Sequence, residues 1–475
     1  MISRLLLLIA PLLFYACHEK PHQEQMVGTV QKEKHADLKE ILERNKLVVL
    51  AENSANSYFI YRGTKMGMEY EILRAFAKHL GVDLEVKVVK DLDQIIDHLN
   101  NGEGDIIACN YTVTKERLRS IDFSVPILRT SQVLIQRKPD DWKERSYLDW
   151  KNELLSEPDD LIRKRIHVWK NSSYYQRLLN LQEELGDTIY LEPMDGSVIP
   201  EEMIQLVAEK YIDYTVTDQN VAVIHQRFYD NIDASLELSV QQKIAFGIRK
   251  SNPLLKDKLN SWLSSFSKTS TFAFIKHKYL NMHAFSARSK DEFSSIGGGK
   301  LSKYDDLIKE VSEELNWDWR LIAALIYQES KFEPTAESWA GAYGLMQFMP
   351  EVGPSYGVFP DSPPKVQIRG GVRKLSHNVL DWGSIPDSIQ RLKFAIASYN
   401  AGRGHILDAQ RLAVKNGLDP LVWDDNVEIY VLKLGKPEFY HDEVVRHGYL
   451  RGTETYNYVR GIFIRYNEYK SSFSV

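Results

Sequence analysis

The chain has 475 residues, more than one hydrophobic core ordinarily organises, so two or three compact domains are expected. Its 60 Lys and Arg stand against 65 Asp and Glu, a formal charge of -5 with no long block of one sign, which argues against nucleic acid as a partner. A composition 43% hydrophobic and 11% aromatic is that of a folded protein, with 25 Tyr and 9 Trp available to cores and to sugar-facing surfaces alike.

In chain order, Arg4 precedes an apolar stretch from Leu5 to Leu13, too short to span a bilayer comfortably and patterned as a secretory h-region. It runs into Phe14-Tyr-Ala-Cys17, where small Ala16 before Cys17 resembles the processing site of a bacterial lipoprotein. That resemblance implies a signal peptide over 1–17, a lipidated Cys17, and a chain tethered at the periplasmic side of a Gram-negative envelope, at the outer membrane. A signal peptide cut elsewhere and an uncleaved anchor are the alternatives. Residues 18–44 are polar and read as a tether; His18, His22 and His35 are too irregularly spaced for a metal site. With Cys17 assigned only Cys109 is left, so no intrachain disulfide forms, and Cys109 within Asp105-Ile-Ile-Ala-Cys reads as a small buried hydrophobe.

From Leu47 strands and helices alternate. A strand is predicted over 47–50, a helix over 68–80 ended by Gly81, a strand over 84–89, a helix over 92–99 and a strand over 106–108. This cadence persists to about Phe266 and implies an α/β domain over 45–275 with parallel strands. Residues 276–300 end in Gly297-Gly-Gly299 and read as a linker. Beyond them Ser302 is expected to cap a helix carrying Tyr304, Leu307, Ile308, Val311 and Leu315, and Asp318 to cap the next, opening a mainly helical domain over 301–475.

Within the first domain Gly67-Met-Glu-Tyr-Glu-Ile-Leu-Arg-Ala-Phe-Ala-Lys-His-Leu-Gly81, Gly102-Glu-Gly-Asp-Ile-Ile-Ala108, Thr112-Val-Thr-Lys-Glu-Arg117 and Asp122-Phe-Ser124 follow one another in an order that resembles the periplasmic solute-binding proteins of family 3. The resemblance implies two lobes that close on an amino acid or a muropeptide. In that cleft Arg117 would clamp the ligand carboxylate, with hydrogen bonds from Asn110 and Thr112 and a backbone nest at Ser172 and Ser173; Asp218 would take the ammonium. Blander roles stay open: Arg117 in a surface pair, Asp218 capping a helix from Gln219. No Gly-rich Lys-Ser/Thr motif is present, so this chain does not itself power transport, and fusion to a second domain points to sensing.

In the second domain Glu329 ends the apolar run Leu321-Ile-Ala-Ala-Leu-Ile-Tyr-Gln-Glu329. A carboxylic acid protonates a glycosidic oxygen at neutral pH only where its pKa is raised, and burial near a helix C-terminus does that. As an isolated Glu it would be read as a mere helix end. The ordered set Ala324 to Phe332, Ser338-Trp-Ala-Gly-Ala-Tyr-Gly-Leu-Met-Gln-Phe-Met-Pro350, Ala397-Ser-Tyr-Asn-Ala-Gly402 and Glu454-Thr-Tyr-Asn-Tyr-Val459 changes that, because it is similar to the soluble-lytic-transglycosylase family, a lysozyme-like fold. The resemblance implies an enzyme on peptidoglycan glycan strands that needs no cofactor and no metal. Glu329 would serve as acid and then base. Ser338 and Gln347 would bond the N-acetyl and ring groups, Met349 would pack on a sugar, and Tyr399 with Asn400 would line the groove. Tyr458 would hydrogen-bond Glu329 and help keep it protonated. Two rivals remain: a hydrolytic muramidase using a second carboxylate such as Glu333 or Glu337, and a module that only holds glycan. Glu351-Val-Gly-Pro354 departs from the family's usual Thr-Ala at the point where a helix would begin, and 433–451 reads as a loop over the groove.

Overall fold

The computed structural model describes residues 37–282 and 287–473. The segment 1–17, Cys17 and the three histidines of the polar stretch lie outside the described residues. No helix among those described is long and apolar enough to cross a membrane.

Strand β1 (Lys46–Ala51) forms from an unbroken apolar run, the pattern of a strand covered on both faces. The hairpin β2 (Phe59–Tyr61) and β3 (Thr64–Met66) follows, and then helix α1 (Met68–Leu80), ended by Gly81 at φ 74°, a conformation in which glycine carries no Cβ penalty. Strands β4 (Asp83–Val88) and β5 (Ile106–Ala108) flank β1 in parallel, Lys46 lying opposite Asp83 and Val49 opposite Ile106. The chain leaves this sheet through β6 (Asp122–Phe123) and β7 (Leu128–Thr130). It builds a second sheet from β8 (Gln132–Arg137), β9 (Arg165–Trp169), β10 (Tyr190–Met194), β11 (Tyr214–Asp218) and β12 (Ile232–Asp233), and returns through β13 (Gln242–Ile244) to β14 (Gly247–Ile248).

The sheet orders are β4-β1-β5-β14-β6 and β10-β9-β11-β8-β12. The expectation of parallel strands therefore holds only in part, since β14 is antiparallel to β5 and β6, and β8 to β11 and β12. The reason is topological: each lobe is completed by a strand that enters from the other lobe rather than by a local crossover. The two passages run side by side as the β7–β13 ribbon, the construction of a hinge. The second lobe carries α2 (Ser173–Leu185) and α3 (Gln219–His225), and α4 (Ser270–Leu280) packs back on α1.

The C-terminal region is helical, as expected. Helix α5 begins later than predicted, at Asp305–Glu314, and Ser302 is not its cap: the Asp305 carboxylate reaches back to the N–H groups of Leu301 (2.7 Å) and Ser302 (2.8 Å). Asp318 does cap α6 (Trp319–Ser330), accepting the Arg320 N–H. Helices α7 (Pro364–Asp381), α8 (Ser388–Ala401) and α9 (Gly452–Ser472) surround α6 and its following loop. Directly after Met349 there is no α-helix; the Glu351–Pro354 departure leads into one 3₁₀ turn, Gly353–Tyr356.

One apolar core runs without a break from Val49 and Phe76 in the first lobe through Ile308 to Ala324 and Ile326 of α6. The second lobe has cores of its own around Leu134, Val168 and Val216 and around Val133 and Ile204, and meets the first through a smaller cluster of Leu50, Ile107, Trp169 and Met203. The helical region is thus welded to one lobe while the other hangs on the ribbon. Within 276–300, Phe293 O accepts the Arg62 N–H and Ile60 O the Ser295 N–H, adding this segment to the edge of β2. At the hairpin tip Gly63 has φ 74°, and a Cβ there would lie 2.4 Å from the Tyr327 ring of α6. Next to it Lys65 Nζ reaches Glu468 of α9 at 2.6 Å, with the carboxylate fully buried, and Arg460 pairs with Asp83.

Candidate active site and ligand cleft

Helix α6 is buried along nearly its whole length, so its C-terminal turn delivers Glu329 to the edge of the core rather than to open water. The helix stops there because Lys331 adopts φ 52° and Phe332 φ 66°. The neighbouring Ser330 hydroxyl donates to Leu345 O (2.9 Å) and ties this turn to the loop 337–348. That loop is a small hairpin closed by Glu337–Tyr343 and Tyr343–Phe348 bridges. Gly344 sits in it at φ 80° because a Cβ would meet Gln367 Oε1 at 2.5 Å, the atom that accepts the Leu345 N–H.

Tyr458 of α9 donates its phenolic proton to Glu329 Oε1. Burial pushes the Glu329 carboxyl up to about 7; the Tyr458 hydrogen bond and the Lys374 charge pull the other way. The expectation that Tyr458 keeps the acid protonated is therefore corrected: a phenol that donates stabilises the carboxylate, and desolvation alone does the raising. Lys374 of α7 is itself lowered to about 8, by burial first and against the pull of Glu329. Its ammonium lies 3.7 Å from the Tyr399 ring centroid and donates to Tyr399 O (3.2 Å), while the Tyr399 hydroxyl donates to Met346 O (3.0 Å). With the phenolic oxygen removed in Tyr458→Phe, the Glu329 pKa rises further. The alkaline limb of a kcat/KM–pH profile should then move to higher pH, and an unchanged or lower limb would contradict the assigned direction.

The other sequence-predicted residues fall in two groups. Asn400 Oδ1 accepts the Thr455 hydroxyl (2.8 Å), three residues before Tyr458 on the same face of α9. Ser338, Gln347 and Met349 belong to the loop: Ser338 Oγ accepts the Ala342 N–H (3.0 Å), and Met349 is exposed. Gln347, at φ 46°, donates both amide hydrogens within the loop, to Ala336 O and Gly344 O (3.0 Å each), so only its carbonyl oxygen remains for a substrate. Glu333 and Glu337 are exposed, and Glu333 is held low by the Thr335 hydroxyl and N–H. The segment 433–451 is fastened to Asp408, whose carboxylate takes the N–H groups of Arg446 (2.9 Å) and His447 (2.6 Å). No metal-binding group of three His, Cys, Asp or Glu occurs among the described residues.

Sequence reasoning missed Lys374 and Gln367. A signal was there in Gly370-Gly371, a pair that weakens a helix interior unless something packs close to it. A Cβ on Gly371 would fall 2.3 Å from Met346 Cε and 2.9 Å from Met346 Cβ. Gly371→Ala, which adds about 1 kcal/mol to an open helix, should here remove about 1–3 kcal/mol by overpacking. Denaturant unfolding decides the sign.

In the cleft between the lobes, Asn110 (φ 51°) is the hub. Its N–H donates to Glu69 Oε2 (3.0 Å), its Nδ2 to Asp218 Oδ2 (2.8 Å), and its Oδ1 accepts Asn220 Nδ2 (2.9 Å), so one side chain joins both lobes. Asp218 also accepts the Tyr174 hydroxyl (2.8 Å) and makes no side-chain cap on α3, which removes its blander reading. Arg117 is buried, donates to Thr112 O (3.0 Å), and stacks 3.7 Å from the Tyr111 ring centroid. Ser172 caps α2 by accepting the Tyr175 N–H (3.1 Å), and Ser173 bridges to Thr112 (3.3 Å). Burial pushes both Glu69 and Asp218 up to about 7. Glu52, Glu69 and Tyr174 were not anticipated as part of this cleft.

Two family patterns match the chain in this order: the bacterial extracellular solute-binding proteins, family 3, over residues 47–282, and the transglycosylase SLT domain over 306–419. A membrane-bound lytic murein transglycosylase F of Desulfosudis oleivorans is 36% identical over 437 residues, 92% of each chain. The chain belongs to the membrane-bound lytic murein transglycosylase F family. Its relative of that name in Vibrio cholerae is 32% identical over 91% of this chain and 81% of its own length. Among solved structures, an ancestral arginine-binding protein bound to arginine covers 50% of this chain and 99% of itself at 25% identity, with a TM-score of 0.42. The protein is accordingly a lytic transglycosylase: a two-lobed solute-binding module followed by a lysozyme-like helical domain.

Proposed function

We propose that the protein cleaves the β-1,4 bond between N-acetylmuramic acid and N-acetylglucosamine in peptidoglycan without water. Glu329, protonated at rest, gives its proton to the glycosidic oxygen as the bond from the muramyl C1 breaks. The muramyl 6-hydroxyl then closes on C1 and returns its proton to Glu329, leaving a 1,6-anhydro end. The observation that carries this reading is a single buried carboxyl raised to about 7, with the acids of its own loop held in water. A hydrolase would place a second carboxylate opposite the first. Ser338, the carbonyl of Gln347, Met349, Tyr399 and Asn400 line the sugar groove in this reading, with Lys374 holding charge balance beside the acid.

The solute-binding module senses an amino acid or cell-wall peptide through Asn110, Thr112, Arg117, Ser172, Ser173 and Asp218. Lobe closure then biases the helical domain through the lobe with which that domain shares its core. The chain is anchored through a lipid on Cys17 at the periplasmic face of the outer membrane.

The test digests purified peptidoglycan with the protein from residue 18 onward and weighs the products. Anhydro ends are expected; products one water heavier would make the enzyme a hydrolase. Trp fluorescence of the same protein, titrated with amino acids and muropeptides, tests the sensing half, and a full set of flat titrations would end it.

A further inference from the structure

The cleft between the lobes gathers more buried carboxyl groups than the single ammonium of a simple amino acid can answer. Glu52, Glu69 and Asp218 are 4%, 1% and 0% exposed and come from three different places in the chain, the residue after β1, the first turn of α1 and the end of β11. They share one field: the Glu52 carboxyl is pushed well up by burial first and then by Glu201, Glu69 and Asp218. The guanidinium on their side is Arg117, already donating to Thr112 O and stacked on Tyr111. Lys115, Arg119 and Arg177 stand farther out, where they line an outer opening of about 530 Å3 together with Arg117, Ser172 and Ser173.

The hydrogen bonds left unmade tell the same story. Glu69 Oε1, Asp218 Oδ1, Asn220 Oδ1 and Gln132 Oε1 are buried and accept no proton among the described residues. All four are acceptors, and three of them belong to the side chains bonded to Asn110, whose backbone N–H reaches Glu69 and whose carboxamide joins Asp218 to Asn220. The lobes close on it down to a cavity of about 20 Å3, lined by Glu52, Asn110, Arg117 and Tyr174 among others, with room for about one water. Buried acceptors and clustered carboxyl groups ask for donors that carry positive charge.

We infer that this cleft takes a ligand with at least two cationic nitrogens: a diamino or guanidino acid, or a peptide ending in one. The inference rests on the cleft being the sensing site. A mono-amino acid brings one ammonium and one carboxylate and leaves the local charge as it was. In a dicationic ligand one ammonium displaces the Asn110 carboxamide from Asp218 and a second nitrogen lies between Glu52 and Glu69. The ligand carboxylate faces Arg117 and the N-terminus of α2, a helix of 13 residues.

Calorimetry on the protein from residue 18 onward tests this with lysine, ornithine and arginine against their uncharged counterparts norleucine and citrulline, and with the dipeptides Ala-Lys and Ala-norleucine. At least tenfold tighter binding of the charged partner is expected in each comparison, shrinking toward equality in Glu52→Gln. Glu69→Gln serves as the second variant if circular dichroism shows that the first does not fold. Norleucine and citrulline binding as tightly as lysine and arginine would overturn the charge requirement and leave the cleft a ligand site. Heat from none of the seven at millimolar concentration would overturn both.

Discussion

Glu329→Gln is expected to lower glycan cleavage by about 10²–10⁴-fold, the usual worth of a positioned general acid, while making the protein more stable above neutral pH. The second half follows from the direction of the shift. The folded-state pKa of Glu329 is raised to about 7 by burial, so the stability that goes with its protonated form is fully present below the ordinary carboxylate range and is lost as pH rises through about 7. A glutamine keeps the shape, carries no charge to desolvate and loses nothing over that window. Thermal unfolding of both forms at pH 5.5 and pH 8 should show the variant's lead larger at the higher pH. A variant that is inactive and no more stable at pH 8 would mean that the carboxyl is better solvated than its place at the end of α6 implies. In activity, the same ionisation should set an alkaline limb near pH 7.

The second large effect is expected at the joint between the modules. Lys65 on the β2–β3 hairpin faces Glu468 at 2.6 Å, and the carboxylate is completely buried. Removing one partner of a buried pair leaves an uncompensated charge, so Lys65→Met should lower stability by about 3–5 kcal/mol at pH 8. Glu468 is already raised by burial, against the opposing pull of Lys65 and Arg465. Without the lysine it rises further, and the loss should be smaller at pH 5, where the acid takes up a proton instead. Adding Glu468→Gln should restore much of the difference. Denaturant unfolding at both pH values, followed in each single variant and the double, measures it; a pH-independent loss would assign the effect to lost packing by the lysine stem.

Much of the architecture was legible because it is written in local patterns. The spacing of Ile72, Leu73, Phe76, Ala77 and Leu80 before Gly81 marks α1 to the residue, and Asp318 before an apolar run marks the start of α6. Parallel pairing of every strand was not legible in the same way, because β8 and β14 owe their direction to passages between the lobes that no local periodicity records. Ser302 was misread for a related reason: Asp305, three residues on, opens the helix and its carboxylate reaches back to the N–H groups of Leu301 and Ser302.

The ordered segments around Glu329 were enough, by sequence alone, to single out a buried acid at a helix end and the loop that follows it, and those over 67–124 a two-lobed module ahead of them. Such choices depend on residue type and short spacing, which govern helix ends, strand burial and the residues a turn will accept. Only the tertiary structure decided how the acid is tuned. Desolvation, Tyr458 from a helix more than a hundred residues away and Lys374 from another meet at one carboxyl, and their opposing signs depend on distances that the order of residues does not contain. The same holds for Glu69 and Asp218, which meet at Asn110 from two separate elements, and for the core that joins the helical domain to one lobe and leaves the other on a hinge. Long-range contacts form where folding brings surfaces together, and their energies are set by burial, which a linear pattern forecasts one element at a time.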